Sequence, residues 1–240
     1  MQAVFDNKTG KKLGEFIEGS AAYRINSLNL PSSWEYIYQN RAVLMKVDQY
    51  GPVYAQMDPP GDIQLFRREN GQKFSNWIVW IKKEGEKPFN NFFRPNTDMT
   101  AQENEPQNLN IEFWPEKAIY SFDNDELSVK TEFAIPLKER EISMRFSLTN
   151  NSDKTVKIRV CPFLMPYVNV AQLAPWNKNE WYLRTGVGKE DNTAIFWTNT
   201  LNPAGNRANR RTMTLVTAMD DLKSVEISRE KFIESGSEYC

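Results

Sequence analysis

The run from Leu127 to Tyr167, LSVKTEFAIPLKEREISMRFSLTNNSDKTVKIRVCPFLMPY, constrains the fold more than any other part of the chain. Leu127, Val129, Thr131, Phe133 and Ile135 alternate with Ser128, Lys130, Glu132 and Ala134. A period of two places one side of an extended chain on a core and the other in water. Ile142, Met144, Phe146 and Leu148 repeat the pattern against Ser143, Arg145, Ser147 and Thr149. The polar run Asn150-Asn151-Ser152-Asp153-Lys154 predicts a turn, because Asn and Asp tolerate left-handed backbone angles and bond their own main chain. Val156, Ile158 and Val160 then read as the return strand of a β-hairpin within a large antiparallel sheet.

The same period recurs elsewhere. Val4 to Phe16 reads as an opening strand and turn, Ala22 to Asn26 as a short strand, and Val43, Met45 and Val47 as one face of another. Asp58-Pro59-Pro60-Gly61 predicts a turn, since proline fixes its own φ and drives its predecessor out of the helical region. Further strands are expected over Ile63 to Arg67, Trp77 to Lys82, Leu109 to Phe113 and Ala118 to Phe122, the last turned by Asp123-Asn124-Asp125. Between Glu84 and Asn108 the period fails, which predicts a long ordered loop. The spacing breaks again after Tyr167. Ala194 to Thr198, Met213 to Ala218 and Ser224 to Ile227 read as closing strands, with a basic loop from Gly205 to Arg211 between them. A dozen or more strands with almost no helical period predict an all-β fold of two stacked antiparallel sheets.

Several function classes lose support at this level. Thirty basic residues against thirty-one acidic ones leave a net charge of −1. No long block of either sign offers nucleic acid or a membrane surface an electrostatic footprint. The chain has no apolar run of membrane-spanning or signal-peptide length, so a cytoplasmic protein is expected. Its two cysteines, Cys161 and Cys240, form neither a disulfide framework nor metal-binding spacing. Cys161 reads as a small buried apolar residue. The complete absence of histidine removes the commonest general base and metal ligand. No metal or cofactor is expected.

The segment order resembles the N-terminal domain of the cellobiose and chitobiose phosphorylases, glycoside hydrolase family 94. The resemblance is carried by Ser121-Phe122-Asp123 through Ile135-Pro136, by Ile142 to Leu148, and by the Thr149 to Lys154 turn with the strand to Pro162. Trp34 with Asn40, Gly51-Pro52-Val53-Tyr54 and Ser228 to Phe232 echo it more weakly. It implies a super-β-sandwich of the galactose mutarotase-like kind over residues 1–227. Residues 228–240 would begin a linker toward a helical (α/α)6 catalytic barrel outside this chain. In that family the catalytic and phosphate-holding residues belong to the barrel, so no catalytic residue is assigned here. Inorganic phosphate would be the co-substrate of the whole enzyme, and a homodimer is implied. One departure stands out: where many relatives carry a His-Pro pair, this chain has Pro175-Trp176-Asn177-Lys178.

That aperiodic stretch supplies the candidate site. Trp176, Trp181 and Tyr182 with Asn177 among them form the combination that stacks on a pyranose ring and bonds its hydroxyls; alternatively, one or two of these rings plug the end of the sandwich. Trp34, Tyr36 and Tyr38 share one strand face and read as core. Asp123, Asp125 and Glu126, like Asp220 and Asp221, read as turn chemistry rather than as the paired carboxylates of a glycosidase. Two functions compete: the carbohydrate-associated domain of a β-glucoside phosphorylase that shapes its active-site mouth and dimer interface, or a stand-alone module that binds an oligosaccharide or β-glucan. A mutarotase-type enzyme, which shares the fold, is disfavoured by the missing histidine.

Overall fold

The computed structural model describes residues 3–28, 30–57, 63–68, 77–92, 106–164, 183–190, 193–200 and 209–216. Among these residues there are seventeen strands and no helix. The largest sheet has seven strands in the order β1 (Ala3–Phe5), β2 (Lys12–Phe16), β3 (Tyr23–Ile25), β10 (Gln107–Phe113), β11 (Lys117–Asn124), β12 (Leu127–Ala134) and β13 (Ser143–Asn150). A four-stranded sheet runs β4 (Tyr36–Gln39), β5 (Val43–Asp48), β6 (Gly51–Met57) and β7 (Ile63–Arg67). A third runs β14 (Ile158–Leu164), β8 (Trp77–Lys83) and β9 (Phe89–Asn90). The last is β15 (Leu183–Glu190), β16 (Thr193–Thr200) and β17 (Asn209–Val216). Every strand pair is antiparallel.

The first three sheets make the two layers of a sandwich, because one apolar cluster draws on all of them. Ile25, Ile111, Phe113, Tyr120 and Phe133 come from the seven-stranded sheet, Tyr38, Met45, Val47 and Phe66 from the four-stranded one, and Trp77, Ile78 and Trp80 from β8. Aromatic contacts cross between the layers: Trp77 meets Phe133 at 5.5 Å between centroids, and Phe92 lies edge-on to Tyr120 at 5.0 Å. Phe133 is completely buried, a placement that stabilises by about 1.5–3 kcal/mol. The alternation read in β12 holds residue for residue, with Leu127, Val129, Thr131 and Phe133 inside.

Polar side chains lock the layers together. Asn91, wholly buried, continues the pairing that β9 abandons: its N–H donates to the Val79 carbonyl at 3.0 Å and its Oδ1 accepts the Val79 N–H at 2.8 Å. Its Nδ2 donates to Thr131 Oγ1 on the opposite layer at 3.0 Å. With both Val79 groups engaged there, Pro162 stands opposite Val79 on β14 and its missing N–H leaves nothing unpaired.

The structure departs from the sequence reading at five places. The strand after Lys154 does not return beside β13. It crosses to the other layer and pairs with β8, Ile158 opposite Lys83 and Leu164 opposite Trp77. The intervening turn is closed by Asn150 Nδ2 donating to the Lys154 carbonyl at 2.7 Å, and the Asn151 N–H anchors it to the Glu126 carbonyl. Glu84 N–H to the Lys157 carbonyl then ties the chain to its new sheet. Alternation fixes which residues face a core, not which strand lies alongside. Val4 to Phe16 is a two-strand hairpin rather than one strand and a turn. The expected loop from Glu84 to Asn108 contains β9, and its Asn91 and Phe92 are core. Arg210 and Arg211 belong to β17 and not to a loop. Cys161 is half-buried rather than fully enclosed; among the described residues β14 forms the edge of its sheet.

Candidate functional site

Trp176, Asn177, Trp181 and Tyr182 lie outside the described residues, as do Asp220, Asp221, Arg207 and the segment 228–240. Apart from Ser228 to Phe232, the residues that carried the family resemblance are described, and several of them act as joints. Asn40 ties the turn between β4 and β5 to the loop after β12: its Oδ1 accepts the N–H groups of Ala42 and Val43, and its Nδ2 donates to the carbonyls of Pro136 and Glu139. The Trp34 ring occupies the space that a Cβ on Gly14 would need, and the backbone N–H of Trp34 donates to buried Gln49 Oε1 at 3.1 Å. Gly51 adopts a φ of 97° with the Phe92 ring against it, a close approach only glycine permits. Trp34, Tyr36 and Tyr38 pack with the core as expected.

Two of the described carboxylates are held by partners within the fold. Asp48 is sealed inside: it pairs with Arg68, its Oδ1 accepts the Tyr50 N–H at 2.8 Å, and its carbonyl accepts the Tyr120 hydroxyl at 2.7 Å. No substrate reaches it. Asp123 is occupied by Asn108 Nδ2 and Ser128 Oγ, each at 2.6 Å, and these bonds hold its carboxyl below the usual range. Ser128 Oγ in turn accepts from Asn151 Nδ2 at 2.6 Å. The turn residues around Asp123 therefore form a chain of hydrogen bonds across strands. Among the described residues no cluster of three or more His, Cys, Asp or Glu is placed to hold a metal.

A different constellation stands on the outward side of the seven-stranded sheet. Register places Glu15, Arg24, Glu112, Ile119, Glu132 and Arg145 in one row across β2, β3, β10, β11, β12 and β13. Each carboxylate in the row is answered by a cation: Glu15 by Lys12, Glu112 by Arg24 at 2.8 Å, and Glu132 by Lys117 at 2.9 Å and Lys130 at 3.4 Å. At the end of β10, two residues beyond Glu112 and so on the same side, sits Trp114. Its N–H donor Nε1 reaches Glu112 Oε2 at 2.7 Å, while Arg24 grips Oε1 through Nε at 3.1 Å and Nη2 at 2.8 Å. Trp114 N–H to the Lys117 carbonyl, 2.9 Å, closes the hairpin and sets Lys117 beside it.

Glu112 is only 8% exposed although it points away from the core. Burial opposes its ionisation, but hydrogen bonds from Trp114, Arg24 and Asn110 and the charge of Arg24 outweigh it, keeping the carboxyl below its ordinary range. The result is a fixed indole, half-buried, between two ion pairs. Sequence reading missed it. The Glu-Phe-Trp spacing was visible, but Arg24 is 88 residues away from the glutamate that it holds.

A comparison with curated proteins finds no match. A family model described as the glycosyl hydrolase 94 supersandwich domain matches residues 29–239, taking in Trp34, Asn40, the Gly51 turn, Glu112, Trp114 and the Asn150 turn, but not β1 to β3. With an all-β sandwich of antiparallel sheets beneath that match, the chain belongs to the glycosyl hydrolase 94 supersandwich-domain family.

Proposed function

We propose that this chain is the carbohydrate-associated sandwich of a cytoplasmic glycoside phosphorylase. It shapes the mouth of an active site carried by a helical barrel and contributes to a homodimer interface. In the whole enzyme, inorganic phosphate attacks a β-glucosidic bond and releases a sugar 1-phosphate. The observation that carries this reading is the family match over residues 29–239. Trp176, Asn177, Trp181 and Tyr182 are the proposed sugar contacts of the sandwich; the stacking and hydroxyl-bonding chemistry of these residue types supports them.

The test is to isolate the native protein with an antibody against this segment, measure its mass, and incubate it with cellobiose and inorganic phosphate. A mass roughly three times the 27.9 kDa of this chain, as a sandwich plus barrel requires, is expected, with glucose 1-phosphate formed only when phosphate is present. A 27.9 kDa protein without turnover overturns the reading and favours a stand-alone β-glucan-binding module.

A further inference from the structure

We propose that the outward side of the seven-stranded sheet holds a second carbohydrate site, in which the clamped Trp114 ring carries a pyranose and Arg24 and Lys117 bond its hydroxyls. The inference rests on the carbohydrate reading above and adds to it a surface and its ligand class: a glycan chain.

Three features point to this ligand. The indole is held by its Nε1 to Glu112, whose other oxygen takes two bonds from Arg24, so the ring has one orientation before anything binds. A ring fixed beforehand avoids the entropy lost when a side chain is ordered on binding. Second, Arg24 spends Nε and Nη2 on Glu112, and among the described residues nothing hydrogen-bonds its Nη1. A guanidinium edge held in place beside an aromatic ring is a directed donor for a sugar hydroxyl. Third, every carboxylate of the row already has its cation, so the polar groups left to a ligand on this face are N–H donors, the kind that bond sugar hydroxyls.

Stability alone does not account for the arrangement. The Glu112 side chain is 10% exposed but that of Arg24 is 38% exposed, and an ion pair open to water on one side contributes modestly. Fixing Trp114 and Arg24 is what the pair accomplishes. Arg24 also lies on β3, outside the residues matched by the family model, while Glu112 and Trp114 lie inside them. The site is therefore completed by an N-terminal strand that the family pattern does not include. The row spans several strands at about 4.8 Å each, a spacing close to the length of one sugar unit, so a chain lying across the strands meets successive polar side chains.

The experiment is affinity electrophoresis of the intact native protein in gels containing soluble β-glucan, with unfolding in urea as a check of folding. Wild type is expected to be retarded. Trp114→Ala should weaken binding about tenfold, the factor that about 1.4 kcal/mol represents. Trp114→Phe, which keeps a ring but loses the bond to Glu112, should fall between the two. Should Trp114→Ala fail to fold, Trp114→Phe and Arg24→Met carry the test, and wild-type retardation in both overturns the proposal. Wild-type retardation in a folded Trp114→Ala protein overturns it as well. If wild type is not retarded while it still converts cellobiose and phosphate, this site falls and the phosphorylase reading stands. Absence of both overturns both.

Discussion

Asn91 offers the sharpest test of how the two layers are joined. Replacing it with alanine strands two groups in the interior: the N–H of Val79, which is 1% exposed, and the hydroxyl of Thr131, which is fully buried. A buried polar group without its partner costs about 1–3 kcal/mol. The Val79 N–H is fixed by the strand and bears the full penalty, whereas the Thr131 hydroxyl can rotate toward another acceptor and bears less. The sum is a loss of about 2–4 kcal/mol. Urea unfolding followed by tryptophan fluorescence reads it as a lower midpoint at unchanged slope. A double-mutant cycle with Thr131→Val then isolates the contact between layers, with an expected coupling of about 1 kcal/mol. A loss below about 0.5 kcal/mol for Asn91→Ala, or additive double mutants, refutes the claim that this amide bridges the sandwich.

Two further outcomes follow from the same structure. Gly51→Ala places a Cβ 2.6 Å from the Phe92 ring at a φ of 97°, whereas Gly10→Ala meets nothing within 4 Å at a φ of 68°. Both carry backbone strain, so thermal unfolding should show Gly51→Ala losing more stability, by about 2 kcal/mol or more beyond Gly10→Ala. Glu112, Asp123 and Glu132 all have folded carboxyl groups held below their ordinary range. A depressed folded pKa contributes stability that is present above the unfolded value and lost as pH falls through the folded one. The urea midpoint should therefore decline from about pH 5 downward, and Glu112→Gln should flatten that decline; an unchanged acid limb refutes the assignment.

Much of the fold was legible because a half-buried sheet writes its period into the chain. Leu127 to Ala134 was readable to the residue, since one side meets the core and the other meets water. β6 was not, because Gly51-Pro52 hides its start and its buried positions come in pairs rather than alternating. β15, with the sequence LRTGVGKE, presents two glycines and charged ends where an apolar period would be. Pairing was beyond local pattern altogether: nothing within Val156 to Val160 tells it to seek Trp77 to Lys83. The outward site shows the same division. A tryptophan two positions from a glutamate is a local fact, while the arginine that immobilises both arrives from β3 through tertiary structure.

The crossing after Lys154 also orders the way the chain assembles. β10 to β13 form an uninterrupted meander whose neighbours are adjacent in sequence, so that half of the sandwich closes through short loops. β8 has no such neighbour on its far edge and waits for β14, which emerges only after the whole meander. Long loop closures are entropically slow, and an apolar strand such as Trp77-Ile78-Val79-Trp80-Ile81 with an open edge invites pairing with another chain. During synthesis this strand is left one partner short until Leu164 has left the ribosome. A shortened chain ending at Lys154 would keep its meander and precipitate through β8.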